Sequence, residues 1–188
     1  MPKRYFDLSD DVYVPGRWHL HTPLDERGEE VNPWQFTKGH SVQLSGRLRM
    51  PLQVDGVPLD FTLGGMDVPV VRAHVADLLE EVASDDLQIL PVDIDGQTDP
   101  YRIVVATRLI RCIDDQASEE VRYWKPEDGR PEKVGKYRVV AGMRIDPSKV
   151  GNAHVFRPWG WTVALIVSED IKHALERAHV TGTKFREV

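Results

Sequence analysis

WTVALIVSEDIKHALERAHVTGTKFREV, residues 161–188, decides how the fold is read, because its hydrophobic period changes twice within one short stretch. Trp161 to Val167 is apolar and β-branched, which predicts a strand. Ser168 is a good N-cap, and Glu169 and Asp170 put negative charge in the first helical turn, where the helix dipole favours it. Ile171, Ala174, Leu175 and Ala178 then fall at i, i+3, i+4 and i+7, the apolar stripe of an amphipathic helix. His173 lies off that stripe and His179 near its end, so both read as solvated helix residues. Gly182 stands where a helix terminus often needs a left-handed residue, and TKFREV reads as a final strand. Strand, helix and strand make a closing unit of an α+β domain.

Upstream, AHVFR and WTVALIV read as paired strands joined by Pro158, Trp159 and Gly160. KYRVVAGMRI, from Lys136, is another strand, and YRIVVATRLIRCI, from Tyr101, is the strongest strand in the chain and reads as central. LQILPVDIDGQTDP is strand then turn. Asp67 to Ala83 reads as a helix capped by Asp67, with Pro69 in its first turn and Val71, Val75, Leu78, Leu79 and Val82 on one face. In HSVQLSGRLRM, Val42, Leu44, Gly46, Leu48 and Met50 alternate as in a half-buried strand, and Asp55 and Gly56 predict a hairpin turn between LQV and VPLDFTL. KRYFDL is a short strand near the start, and DERGEEVNPW is a polar loop. The fold class expected is α+β, a mostly antiparallel or mixed sheet with a few helices. It spans 1–188 as one domain, with 1–65 as a candidate N-terminal subdomain.

Composition sets outer bounds. With 41% hydrophobic and 29% charged residues the chain is ordinary for a folded protein. No apolar run approaches the roughly 20 residues that span a bilayer, and MPKRYFDLSDD turns acidic where a signal peptide would become apolar, so a cytoplasmic location is expected. The single cysteine, Cys112, sits in an apolar run and reads as a buried, inert thiol. A net charge of −6 disfavours nucleic acid and leans toward a basic or neutral partner.

Searches for chemistry give weak patterns. His19 and His21 form an H-x-H pair that could hold zinc with a third ligand among His40, Asp25 and Glu26, and a metal-dependent hydrolase built on them is the competing functional class. No HExxH or C-x-x-C spacing accompanies them. Asp93, Asp95 and Asp99 around Gly96 lack the spacing of a calcium loop and read as a turn. Gly39, His40 and Ser41 begin a nucleophile elbow, but Gln43 replaces its second glycine. Without a Walker or G-x-G-x-x-G motif, no cofactor is expected, and no catalytic residue or metal ligand is assigned. Trp124 stands apart, because it lies in the polar excursion from Asp114 to Lys136 among Asp114, Asp115, Glu119, Glu120, Glu127 and Asp128. Either it tucks back with Tyr123 to pin the loop, or it is an exposed anchor for a basic partner. Asp114, Asp115, Glu119, Glu120 and Trp124 are the partner-binding residues expected on the second reading.

Five features at the two ends carry a resemblance. They are RIDPSK at Arg144 to Lys149, Val155 and Phe156 leading into a strand, SEDIKHAL as the last helix, and TGTKF with Gly182 and Phe185, together with the opening MPKRYFDL. The chain resembles a family of bacterial immunity proteins from polymorphic and contact- or secretion-delivered toxin systems. The resemblance implies a non-enzymatic α+β protein that neutralises a cognate toxin encoded beside it, protecting the producing cell and its kin. It carries over no catalytic residue.

Overall fold

The computed structural model describes residues 3–188. Its strands are β1 (Tyr5–Asp10), β2 (His19–Leu20), β3 (Leu48–Met50), β4 (Leu52–Val54), β5 (Phe61–Gly64), β6 (Val68–Arg72), β7 (Leu87–Ile94), β8 (Tyr101–Ala106), β9 (Leu109–Ile110), β10 (Glu120–Tyr123), β11 (Tyr137–Ala141), β12 (Val155–Pro158), β13 (Ile166–Ser168) and β14 (Thr183–Glu187). Two α-helices, α1 (Ala73–Ala83) and α2 (Glu169–Arg177), complete the α+β set. No helix among the described residues is long and apolar enough to cross a membrane.

Ten of the strands form two five-stranded sheets, ordered β14-β1-β13-β12-β9 and β3-β7-β8-β6-β5, while β2–β4 and β10–β11 pair separately. Each large sheet is antiparallel except for one parallel pair at an edge, β12–β9 in one and β3–β7 in the other. The closing stretch keeps the expected order of strand, helix and strand as β13, α2 and β14, but β13 covers only Ile166–Ser168 and residues 161–165 are turn and irregular chain rather than the strand expected there. β13 and β14 both run antiparallel to β1, which lies between them. The strong run at Tyr101 supplies the middle strand of the second sheet, and its tail, β9, crosses to the first.

Alternation along the strands builds three cores. Phe6, Leu8, Val155 and Val167 of the first sheet meet Phe61, Val71, Val104 and Ala106 of the second in one core, where α1 adds Val75 and Leu79 and α2 adds Ile171 and Leu175. Tyr101, Ile103 and Val105 point the other way on β8, against Trp18, Phe36 and Val42 from the N-terminal segments. Tyr5, Phe156 and Ile166 face outward from the first sheet onto Cys112, Tyr137, Met143 and Ile145. Asp86, just after α1, ties the sheets together. Its carboxylate accepts from the His154 and Val155 amides on the first sheet at 2.7 and 3.2 Å and meets Arg108 at 3.3 Å.

Four further local expectations change. Asp67–Arg72 is not the start of α1. Val68, Pro69, Val70 and Val71 are buried on both sides in β6, whose pairing with β8 begins at Val70, so Pro69 forfeits no bond to that neighbour. Asp67 does not cap the helix either, and with Met66 it holds a left-handed backbone, φ 61° and 60°. Asp55 and Gly56 make no hairpin. β4 pairs with β2, and a side chain on Gly56 would collide with the backbone of Gly16 and Arg17. The left-handed residue directly after α2 is His179, φ 52°, while Gly182, also left-handed at φ 90°, lies further on at the turn into β14. Gly182 is needed for another reason, because a Cβ there would strike the Phe61 carbonyl oxygen. Of the alternating run at 40–50, only Leu48–Met50 is strand.

Candidate partner-binding surface

The excursion after Asp114 is better organised than its charge suggests, since β10 pairs with β11 and two single 3₁₀ turns lie between them. Most of its acidic groups are engaged within the chain. Asp114 Oδ1 accepts from the amides of Gln116 and Ala117, both at 3.0 Å, closing a turn. Asp115 accepts from the Tyr137 hydroxyl at 2.7 Å and also from the Tyr123 hydroxyl. Burial, with Tyr123 and Asp115 adding to it, pushes the Tyr137 pKa upward. Glu120 pairs with Arg122 at 2.5 Å, and Glu119 lies along Gly142.

Trp124 is half-buried, and its immediate neighbours are cations. Lys133 Nζ stands 4.9 Å and Arg138 Cζ 5.0 Å from its ring centroid, and Arg138 is held by Asp128 at 2.5 Å. These residues form part of a depression of about 330 Å³ that continues over Lys136, Tyr137, Trp161 and Val163. A second depression of about 520 Å³ shares Val163 and runs along β1, with Val12, Tyr13, Leu63 and Asp67 in its walls. Val163 and Tyr13 are 56% and 77% exposed, so an apolar and aromatic strip joins the two hollows. Asp7 and Asp10 in the second hollow are paired with Arg186 at 2.8 Å and Arg17 at 2.6 Å. Burial nevertheless raises the Asp7 pKa, against the lowering effect of Arg186.

Arg157 positions the junction. It follows Val155 by two on β12 and is wholly buried, with Nη1 donating to the carbonyls of Thr162 and Val163 at 3.2 and 3.4 Å. Its Nε and Nη2 make no hydrogen bond among the described residues. Desolvation draws its pKa down to about 10 although the charges of Asp67 and Asp7 favour the cation. An arginine thus fixes the segment that presents Val163, at an energetic cost to the fold. Strand alternation in AHVFR marks Arg157 as inward-facing and was the available signal for it. Tyr13 and Val12 carry no such signal, because a short apolar pair near a turn looks the same whether exposed or buried.

The other chemical candidates separate in space or find structural partners. His19 and His21 are both exposed, and His21 Nδ1 meets the Thr22 hydroxyl at 2.9 Å and Glu30 at 3.7 Å. Among the described residues no three histidine, cysteine or carboxylate side chains gather as metal ligands would. Asp93, Asp95 and Asp99 each pair with an arginine, Arg47, Arg49 and Arg72. Cys112 is buried and its thiol pKa is pushed up to about 12 by desolvation. Of the tryptophans, Trp18 is a core residue, donating to the Thr62 hydroxyl at 2.8 Å, while Trp34 is 49% exposed.

Residues 2–188 match the Immunity protein family (Imm11). The chain belongs to that family. A comparison with curated proteins finds no match. In this Imm11 chain RIDPSK does structural work: the Asp146 amide bonds the Cys112 carbonyl at 2.7 Å, and its side chain caps the 3₁₀ turn Pro147–Lys149 by accepting from the Ser148 amide at 3.0 Å. Bonds to Ser148, its hydroxyl first, hold the Asp146 pKa low. The Ser168 cap of α2 is equally structural, accepting from the Ile171 amide and meeting the His154 ring at 3.0 Å.

Proposed function

We propose that this Imm11 protein protects its cell, and kin in contact with it, by binding a cognate protein toxin and covering a surface the toxin needs. It acts stoichiometrically, without turning over a substrate. The observation that carries this reading is the match to an immunity protein family over residues 2–188. The geometry supports it through shallow, open hollows joined by exposed side chains, a form suited to a protein face. Affinity in such a face comes from a few aromatic and arginine anchors, with charged groups setting encounter and partner choice.

The test is co-expression with the adjacently encoded toxin, followed by purification. Survival only in the presence of this chain, together with a 1:1 complex, is the expected result. Protection without a complex, or protection by a chain that consumes a small molecule in the process, would overturn the binding reading. The hydrolase class has its own discriminator: stoichiometric zinc in the purified protein, and loss of protection in a His19→Ala, His21→Ala double variant.

A further inference from the structure

We infer that the Trp124 hollow receives an acidic, extended segment of the toxin, with an apolar toxin side chain beside it on Val163. This deepens the toxin-binding reading and rests on it. Local charge in the hollow runs against the charge of the whole chain. The chain as a whole carries −6, yet Lys133, Lys136 and Arg138 converge in one depression with two tryptophans and a tyrosine. Arg138 already has Asp128, whereas Lys133 rests on the Trp124 ring and Lys136 is exposed, and among the described residues neither lysine has a carboxylate within ion-pairing distance. An exposed contact between a cation and an aromatic ring is worth only about 0.5–1 kcal/mol, so an arriving carboxylate can take up Lys133 without a large loss. Val163, fixed from beneath by Arg157, supplies the apolar contact next to those charges.

An acidic polypeptide suits this surface better than a nucleic acid. Three cations release few counterions, and the remaining acidic surface repels a long polyanion. A peptide segment needs only the local patch and gains from the apolar strip beside it. The same strip leads to Tyr13, where Lys184 Nζ stands 5.0 Å from the ring centroid, so a longer segment would meet a second lysine placed in the same manner.

The probe is a decapeptide of alternating glutamate and leucine, titrated into the isotope-labelled full chain. Saturable shifts of the Trp124 and Trp161 indole signals and the Val163 amide are expected, weakened at about 1 M salt, where the screening length is about 3 Å. A lysine and leucine decapeptide should leave these signals in place. A Lys133→Glu, Lys136→Glu double variant should lose about tenfold or more in affinity, the effect of reversing two exposed charges, while the rest of its spectrum stays native. Shifts located elsewhere, an equal response to the oligonucleotide dT10, or unchanged affinity in the variant would overturn the inference. In cells, the variant should fail to protect where the parent chain succeeds, and full protection by the variant would also overturn it. If the parent chain itself fails to protect, the toxin reading falls, and the peptide titration still decides the chemistry of the hollow.

Discussion

Replacing Asp86 by alanine should cost about 3 kcal/mol of stability, and the figure follows from three contacts. Its carboxylate, 5% exposed, accepts from two amides at the start of β12, those of His154 just before the strand and Val155 within it, and from one arginine. Loss of the oxygens strands the His154 and Val155 N–H groups, at about 1–3 kcal/mol each for a buried donor left unsatisfied. Relief of the carboxylate's own desolvation offsets part of this. Arg108, 39% exposed, turns to water and adds little. For a chain of this length about 3 kcal/mol lowers Tm by roughly 6–12 °C. Asp86→Asn keeps an acceptor for the amides and exchanges charge-assisted bonds for neutral ones, so a loss of about 1–2 kcal/mol is expected. Arg108→Ala should cost about 1 kcal/mol or less. Urea denaturation of the three variants, with equal slopes, measures the series. An Asp86→Ala variant within about 1 kcal/mol of the parent, or an Arg108→Ala variant that costs as much as Asp86→Ala, would refute the claim that this carboxylate joins the sheets through backbone amides.

Asp7→Asn removes a charge that burial disfavours, since the folded pKa is raised. Such a group costs stability progressively as pH rises through its folded pKa and costs none below the unfolded value of about 4, so the variant's Tm should match or exceed the parent's at pH 7 and converge with it in acid; a large loss at pH 7 would contradict this. Gly182→Ala should destabilise by about 2–5 kcal/mol in denaturant melts, combining left-handed backbone strain at φ 90° with overlap on the Phe61 carbonyl oxygen. Cys112, with its thiol pKa raised to about 12 by burial, should resist alkylation in the native protein at pH 8 and react fully in denaturant, as read by mass spectrometry. Arg157→Met should leave stability nearly unchanged or improved, by removing a buried charge with two unpaired donors, yet weaken toxin binding by releasing the 162–163 segment; unfolding curves and binding measurements together test the separation.

What could be read from the chain divides along the range of the interactions. Ser168, Ile171 and Leu175 announce α2 because a cap and a stripe are local devices, and the final strand follows from them. Val71 continues the helical period of Val75 and Leu78 backwards, yet it belongs to β6, and what decides is the pairing of Val70 with Ile103, far along the chain. Asp55 and Gly56 look like a hairpin turn until Gly16 and Arg17 arrive beside them. The acidic excursion shows the same limit at the surface. Counting carboxylates finds Asp114, Asp115, Glu119 and Glu120, but not the tyrosine hydroxyls that engage Asp115. Trp124 stands out by its setting in sequence, and of the cations on its ring Lys133 comes from a later turn of the same excursion and Arg138 from β11 just beyond it.

The position of β1 bears on the order in which the fold can close. It pairs with β13 on one side and β14 on the other, so after its synthesis β1 has no sheet partners until residues 166–187 follow it. At about 5–20 residues per second that wait is roughly 10–40 s. During it Phe6 and Leu8 stay uncovered, available to chaperones and proteases alike. Closure of the first sheet therefore waits on β13, α2 and β14, the same unit whose local signals are the plainest in the chain.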